Sequence, residues 1–244
     1  MKNKFIDSKN NREYKKYQSL SKRKYREKEQ LFLVEGLKLT MEAEKVGLLE
    51  KVITKEGVPI HLNAPTIYLS NSLFAKLSTQ GNPEGIMGLC AMAKEKPLGK
   101  KILYLEEIRD PGNLGTMIRS AEAFGFSVMI SKNSVDLYHE KTLRGSMGSV
   151  FRVPIKTQCD REDLLALKKK FYKIYATDLQ GEILRSMKFE TPFVLVIGSE
   201  SHGVKKESLD LANSTIKIPM EGKVESLNAA TSASLLMFYS QLEP

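Results

Sequence analysis

Hydrophobic positions fall into two successive strand–helix alternations, separated by the charged, proline-containing stretch "KEKPLGK" at 94–100. In the first, "FLVEG" (Phe32–Gly36) predicts a short buried strand, and "LKLTMEAEKVG" a helix that stops at Gly47. "KVITK", "TIYLS" and "GIMGLCAMA" follow as strands, with a helix "SLFAKLS" between the last two. These make a small α/β domain over residues 31–93. In the second, strands are predicted at Ile102–Leu105, Ser127–Ile130, Lys173–Ala176, Phe193–Ile197 and Thr215–Ile218. Helical periods lie at 114–124, around 137–146, and at 161–171, 204–212 and 228–241. Runs such as "ILYL" and "FVLVIG" carry no polar alternation, which suits strands covered on both faces of a parallel sheet. The expected fold class is therefore α/β: a parallel-sheet domain over 101–244, preceded by a linker and a small α/β domain.

The stretch "DPGNLGTMIRSAEAFG" (Asp110–Gly125) has the sharpest local pattern. Asp-Pro-Gly is a turn, after which Asn113 is the expected helix N-cap. Leu114, Met117, Ile118, Ala121 and Phe124 share one helical face. Arg119 falls on another side, roughly 140° from Leu114 at about 100° per residue. A capped surface helix explains the asparagine but leaves the arginine open.

Charge changes the picture more than composition does. Of the net +9, +7 sits in residues 1–30, which hold eleven basic and four acidic side chains. Phe5, Tyr14, Tyr17 and Tyr25 are interleaved there, free to stack on bases or to pack inward. Such a basic arm suits a phosphate backbone, with Lys22, Arg23, Lys24 and Arg26 as candidate contacts, or is a solvated, partly helical segment. No apolar run of about 18 residues predicts a membrane span, and the lysine-rich start lacks a signal-peptide core. Cys90 and Cys159 lie far apart, and with His61, His139 and His202 scattered no metal spacing exists. A reducing cytoplasm is the expected compartment.

Ligands of parallel α/β sheets sit beyond the carboxyl ends of the strands. There the sequence reads "EEIRDPGN", "TDLQG", "GSESHG" and "PMEGKVESLN". No G-x-G-x-x-G follows a strand, and "GSESHGVKK" has Val204 where a phosphate-loop lysine must stand. No G-x-S-x-G elbow is present, and metal hydrolysis lacks ligands.

"DPGNLGTMIRSAEAFG", "VLVIGSESHGV" and "IKIPMEGKVESLNAATSASLLMFY" resemble the three ordered signature motifs of the SpoU (TrmH-like) branch of SPOUT RNA methyltransferases. "LRGSMGSVFRVP" resembles the segment between the first two motifs, and "FLVEGLKLTMEA" the opening of the family's N-terminal substrate-binding domain. The resemblance spans residues 12–242. It implies methyl transfer from S-adenosylmethionine to a ribose 2′-hydroxyl in ribosomal or transfer RNA, a deep trefoil knot in the C-terminal domain, and a homodimer with its site close to the subunit interface. No metal and no membrane are implied.

By that resemblance Arg119 activates the hydroxyl and contacts the target nucleotide's phosphate. An arginine is a poor base because its guanidinium stays protonated, so stabilising a developing alkoxide is the more conservative role. Asn113 would orient the arginine or the hydroxyl. Glu200 would hold the neighbouring loop, and Ser226 and Asn228 would sit where ribose and cofactor meet. Thr177, Gly198, Ile218, Met220, Leu227 and Asn228 would hold the cofactor, largely through loop backbone. Arg109 and Arg144 would contact phosphate, unless they form surface ion pairs. For Asn113, and for Ser226 with Asn228, a simple helix cap remains the alternative; for Ile218 and Leu227 it is core packing. Motif three departs mildly in "NAATSAS", and Ile108-Arg109 precede the Asp-Pro, with no required polar group lost. The leading expectation is a 2′-O-methyltransferase of structured RNA, ribosomal before transfer RNA; a non-catalytic RNA-binding protein and an unrelated small-molecule enzyme are the alternatives.

Overall fold

The protein, seen in a computed structural model, is described over residues 4–59, 61–224 and 226–242. It divides into two compact units: one comprises residues up to Lys94 together with Tyr138–Phe151, the other Glu95–Leu137 with the remainder from Arg152.

The first unit begins with β1 (Lys4–Ile6), α1 (Arg12–Ser19) and α2 (Arg23–Glu29). It continues through β2 (Leu31–Glu35), α3 (Leu37–Lys45), β3 (Leu49–Lys55), β4 (Thr66–Leu69), α4 (Asn71–Leu77) and β5 (Ile86–Ala91). Its mixed sheet has the order β1-β4-β3-β5-β2, with β5 antiparallel to both neighbours. The basic N-terminal residues are thus not a separate arm. Tyr14 and Tyr17, one helical turn apart on α1, are buried with Leu20 in a core that includes Ile53, Leu69 and Phe74. The tyrosine bodies supply the apolar face that a lysine-rich helix otherwise lacks. Nor is Arg26 the surface phosphate contact expected of it. It is 6% exposed, and its Nη1 donates to the carbonyls of Leu20 and Ser21, because a buried guanidinium must find acceptors.

The second unit opens with β6 (Lys101–Leu105), α5 (Pro111–Ala123) and β7 (Ser127–Ser131). The chain then contributes α6 (Glu140–Ser146) to the first unit, where it packs on β2. Phe32 of β2 meets the rings of Tyr138 and Phe151 at centroid distances of 4.5 and 6.1 Å. Pattern alone assigned this segment to the C-terminal domain. The second unit resumes with β8 (Ile155–Cys159), α7 (Arg161–Lys169), β9 (Lys173–Ile183), β10 (Phe193–Ile197), α8 (Lys206–Leu209), β11 (Ser214–Lys217) and α9 (Ala229–Tyr239).

All strand pairs of the second sheet are parallel, in the order β11-β9-β10-β6-β7-β8. From β6 the chain builds outward through β7 to β8, then returns to the other side of β6 for β9, β10 and β11. The reversal between β6 and β10 is a topological switch point, where loops leave the carboxyl ends in opposite directions and open a crevice. The loops from 106 and from 198 start there.

Candidate active site

Helix α5 starts earlier than its apolar period suggests. Pro111 occupies the first turn, and Asp110 caps it by accepting the Asn113 N–H at 2.7 Å. Asn113 is therefore inside the first turn and not the cap, which leaves its side chain available. Its Nδ2 donates to the Glu200 carboxylate, and its Oδ1 accepts from Asn228 Nδ2 at 3.0 Å. Asn228 also caps α9, its Oδ1 accepting the N–H groups of Ala230 and Thr231 at 2.9 and 3.2 Å. The polarity of the chain follows from these ends. Backbone donors fix the Asn228 oxygen, so its nitrogen must face Asn113, whose own nitrogen must then face the acceptor-only carboxylate. One residue from each of the three motifs is joined in a single directed relay.

Glu200 also lines a cleft of about 690 Å³ built from the middle of β9, the end of β11 and the segments that follow β10 and β11. Thr177, Gly198, Ile218, Met220, Ser226 and Leu227 line the same cleft, so the expected cofactor residues converge there, with Asn228 adjoining through Leu227 and Ala229. Its floor is backbone. A side chain at Gly198 would bring its Cβ within 2.0 Å of the Gly203 carbonyl, and Gly203 itself has φ +65 in a tight turn closed to the Ser199 carbonyl.

Arg119 is not part of the relay. It is exposed on α5, and among the described residues it makes no hydrogen bond or ion pair. Six residues separate it from Asn113, which turns it roughly 120° around the helix and about 9 Å along it, so one helix does not present both to one point. Arg109 and Arg144 are exposed, as are Lys22 and Lys24, whereas Arg23 is ion-paired with Glu27 at 2.7 Å.

Sequence reasoning missed Glu106 and Glu107, although both stand in "EEIRDPGN". Glu106 is 5% exposed and accepts the Lys205 N–H at 2.7 Å and the Ser208 hydroxyl at 2.6 Å. It thereby pins the segment after β10. Glu107 is held below the usual carboxylate range by a hydrogen bond from Lys205, and Asn133 Nδ2 also donates to it at 3.0 Å. The available signal was an acid directly after an all-apolar strand, where burial demands a partner.

Residues 100–238 match the SpoU rRNA Methylase family, and residues 11–88 match the MRM3-like substrate binding domain. The chain is similar to 23S rRNA (guanosine(2553)-2'-O)-methyltransferase RlmP of Bacillus subtilis, with 32% identity over 96% of this chain and 98% of that protein. It is 30% identical to the mitochondrial rRNA methyltransferase 3 of Homo sapiens, across 88% of this chain and 68% of that one. Among solved structures, the AdoMet-bound rRNA methyltransferase from Sinorhizobium meliloti superposes with a TM-score of 0.86 at 26% identity, covering 98% of this chain and 97% of its own.

Proposed function

Because the chain belongs to the SpoU rRNA methylase family, we propose that it transfers a methyl group from S-adenosylmethionine to a ribose 2′-hydroxyl of ribosomal RNA. The observation that carries this reading is the Glu200–Asn113–Asn228 relay, which ties the three motif loops together beside the cleft.

The cleft fits S-adenosylmethionine by the chemistry of its lining. Ile218, Met220 and Leu227 offer apolar surface to a purine, while Thr177, Ser199 and the close-packed backbone at Gly198 offer polar groups. When bound, the cofactor would supply an electrophilic methyl group on a sulfonium sulfur, which leaves as a neutral thioether while the 2′-hydroxyl proton passes to solvent. The chain's own part is positioning, which can supply much of the acceleration of an in-line displacement. Asn228 and Ser226 orient the ribose, with Glu200 fixing the amide direction through Asn113. Arg119, exposed and without a hydrogen-bond or ion-pair partner among the described residues, clamps the phosphate of the target nucleotide and stabilises charge developing on the 2′-oxygen. Arg109, Arg144, Lys22 and Lys24 contribute phosphate contacts; Arg26 does not.

The working unit in this proposal is a homodimer paired through α9. Leu235 and Phe238 are 41% and 49% exposed on it, and Phe124 packs its ring 6.1 Å from Phe238. The groove they line also takes in Asn113 and Asn228, which supports a site close to the subunit interface. Light scattering should give twice the chain mass for the wild type and the single mass for Phe238→Glu; a monomeric wild type would overturn the pairing. The trefoil knot implied by the resemblance belongs to the same reading. So does a cytoplasmic setting, supported by two buried free cysteines.

The test is a map of 2′-O-methyl positions in total RNA with and without the gene. A methylated ribose resists alkaline cleavage, so a site lost on deletion appears as a new cut. The relative named for guanosine 2553 of 23S rRNA makes the equivalent nucleotide the first to score. An unchanged ribosomal map would overturn the reading, and a change confined to transfer RNA would move the substrate there.

A further inference from the structure

We propose that a second, unpaired nucleotide of the RNA substrate is bound in a cavity built wholly within the first unit, where no motif of the methyl-transfer site reaches. The inference rests on the RNA substrate proposed above. The cavity measures about 350 Å³, at the small end of ligand pockets and suited to one base with its ribose. Its lining includes Tyr17, Glu35, Lys76, Tyr138, His139 and Arg144.

Each of these groups has a fixed task to offer. Glu35 is held in place by the Ser78 hydroxyl and by the N–H and hydroxyl of Thr79 at 3.1 and 3.0 Å. A carboxylate so anchored keeps lone pairs for the amino or imino edge of a base. His139 Nδ1 accepts the Lys141 N–H at 3.2 Å, which leaves Nε2–H as the ring's donor. Tyr138 is fixed at both ends: its ring lies 4.5 Å from that of Phe32, and its hydroxyl accepts the Ala93 N–H at 3.2 Å. It provides a rigid aromatic wall. Lys76 and Arg144 are exposed and neither forms an ion pair among the described residues, which leaves two cations for phosphate. An acceptor, a donor, an aromatic surface and paired cations are the set that single-stranded RNA recognition uses. An aliphatic ligand would leave Glu35 and His139 without use, and a bare phosphate would leave the aromatic wall without use.

The full-length protein tests this by fluorescence anisotropy with a labelled single-stranded oligoribonucleotide. Gln18 also lines the cavity and is exposed, so Gln18→Trp fills the space without altering charge. Gln18→Trp and the double variant Lys76→Glu/Arg144→Glu should each weaken RNA binding roughly tenfold or more, the scale of one lost base contact. S-adenosylmethionine affinity, measured by calorimetry, should stay at the wild-type value and certifies the second unit, and an unchanged thermal midpoint certifies the first. RNA affinity within about twofold of wild type in Gln18→Trp overturns the proposal, because charge reversal alone weakens any RNA binding. Displacement of the oligonucleotide by equimolar free mononucleotide also overturns it, since the site would then serve a metabolite. The two readings fail separately. Cavity-dependent RNA binding without methyl transfer sinks the function and spares the cavity; methyl transfer with binding indifferent to Gln18→Trp does the reverse.

Discussion

Asn228 carries two duties on opposite atoms, an arrangement that lets structure and chemistry be separated by substitution. Its oxygen caps α9 and its nitrogen directs Asn113. Asn228→Ala should lose the cap, about 1 kcal/mol of stability, together with the relay. Asn228→Asp keeps an acceptor for the backbone N–H groups but turns an oxygen toward the Asn113 oxygen. Its thermal midpoint should stay near wild type while single-turnover methyl transfer falls roughly tenfold or more. Equal losses of stability in both variants would reduce Asn228 to a cap. At Arg119 the test is geometric. Lysine keeps the charge but loses the planar fork, so Arg119→Lys should lower kcat/KM on the order of tenfold or more. Near-full activity would remove the guanidinium role. The cap at Asn228 was legible from its place before an apolar period. The position of Asn113 was not, because Asp110 competes for the same duty three residues earlier and prevails once Pro111 starts the helix.

At the scale of elements, burial on both faces decided what could be read. β6, β7 and β10 are nearly unbroken apolar runs, and the structure finds them within a residue of the pattern. β8 was missed because an edge strand buried only at its two ends, "IKTQC", carries too few apolar residues to stand out. β1 has only three residues and owes its conformation to pairing with β4 far along the chain. β9 runs seven residues beyond the prediction, through "TDLQGEI", because its extension pairs with β11 across a register shift. There Gly181 lets two backbones meet, a Cβ falling within 2.6 Å of the Thr215 carbonyl carbon. The same close approach at Gly198 predicts a functional cost. Gly198→Ala forces the turn at 199–203 outward, so it should destabilise the unit by about 2 kcal/mol and weaken S-adenosylmethionine binding at least roughly tenfold. Calorimetry that found wild-type affinity would show that the turn does not form the cofactor floor.

For the molecule as a whole, the first unit has an identifiable acid-sensitive tie. Burial alone would push the Glu13 carboxyl up, but hydrogen bonds from Lys4, Lys51 and Tyr17 outweigh it and hold the value at about 2. This one side chain joins β1, α1 and β3. A depressed carboxylate stabilises the fold fully above its unfolded value near 4.5, and that contribution is lost as pH falls toward and through 2. Glu13→Gln should therefore be less stable than wild type at neutral pH, with the gap closing between pH 4.5 and 2. Denaturant midpoints measured across that range would check it; a gap independent of pH would deny the ion pairs their part. The charge excess of residues 1–30 was legible, but its conversion into a packed element was not, because Tyr14 and Tyr17 read equally as base-stacking or core residues. The division of the chain has a further consequence for how such proteins can be recombined. The backbone passes between the two units three times, after Lys94, Leu137 and Phe151. A graft cut only at the 94–100 linker would deliver the first unit without α6 and with Phe32 stripped of both flanking rings. The first unit is thus encoded as two separated stretches of gene, and an exchange that moves one without the other delivers it incomplete.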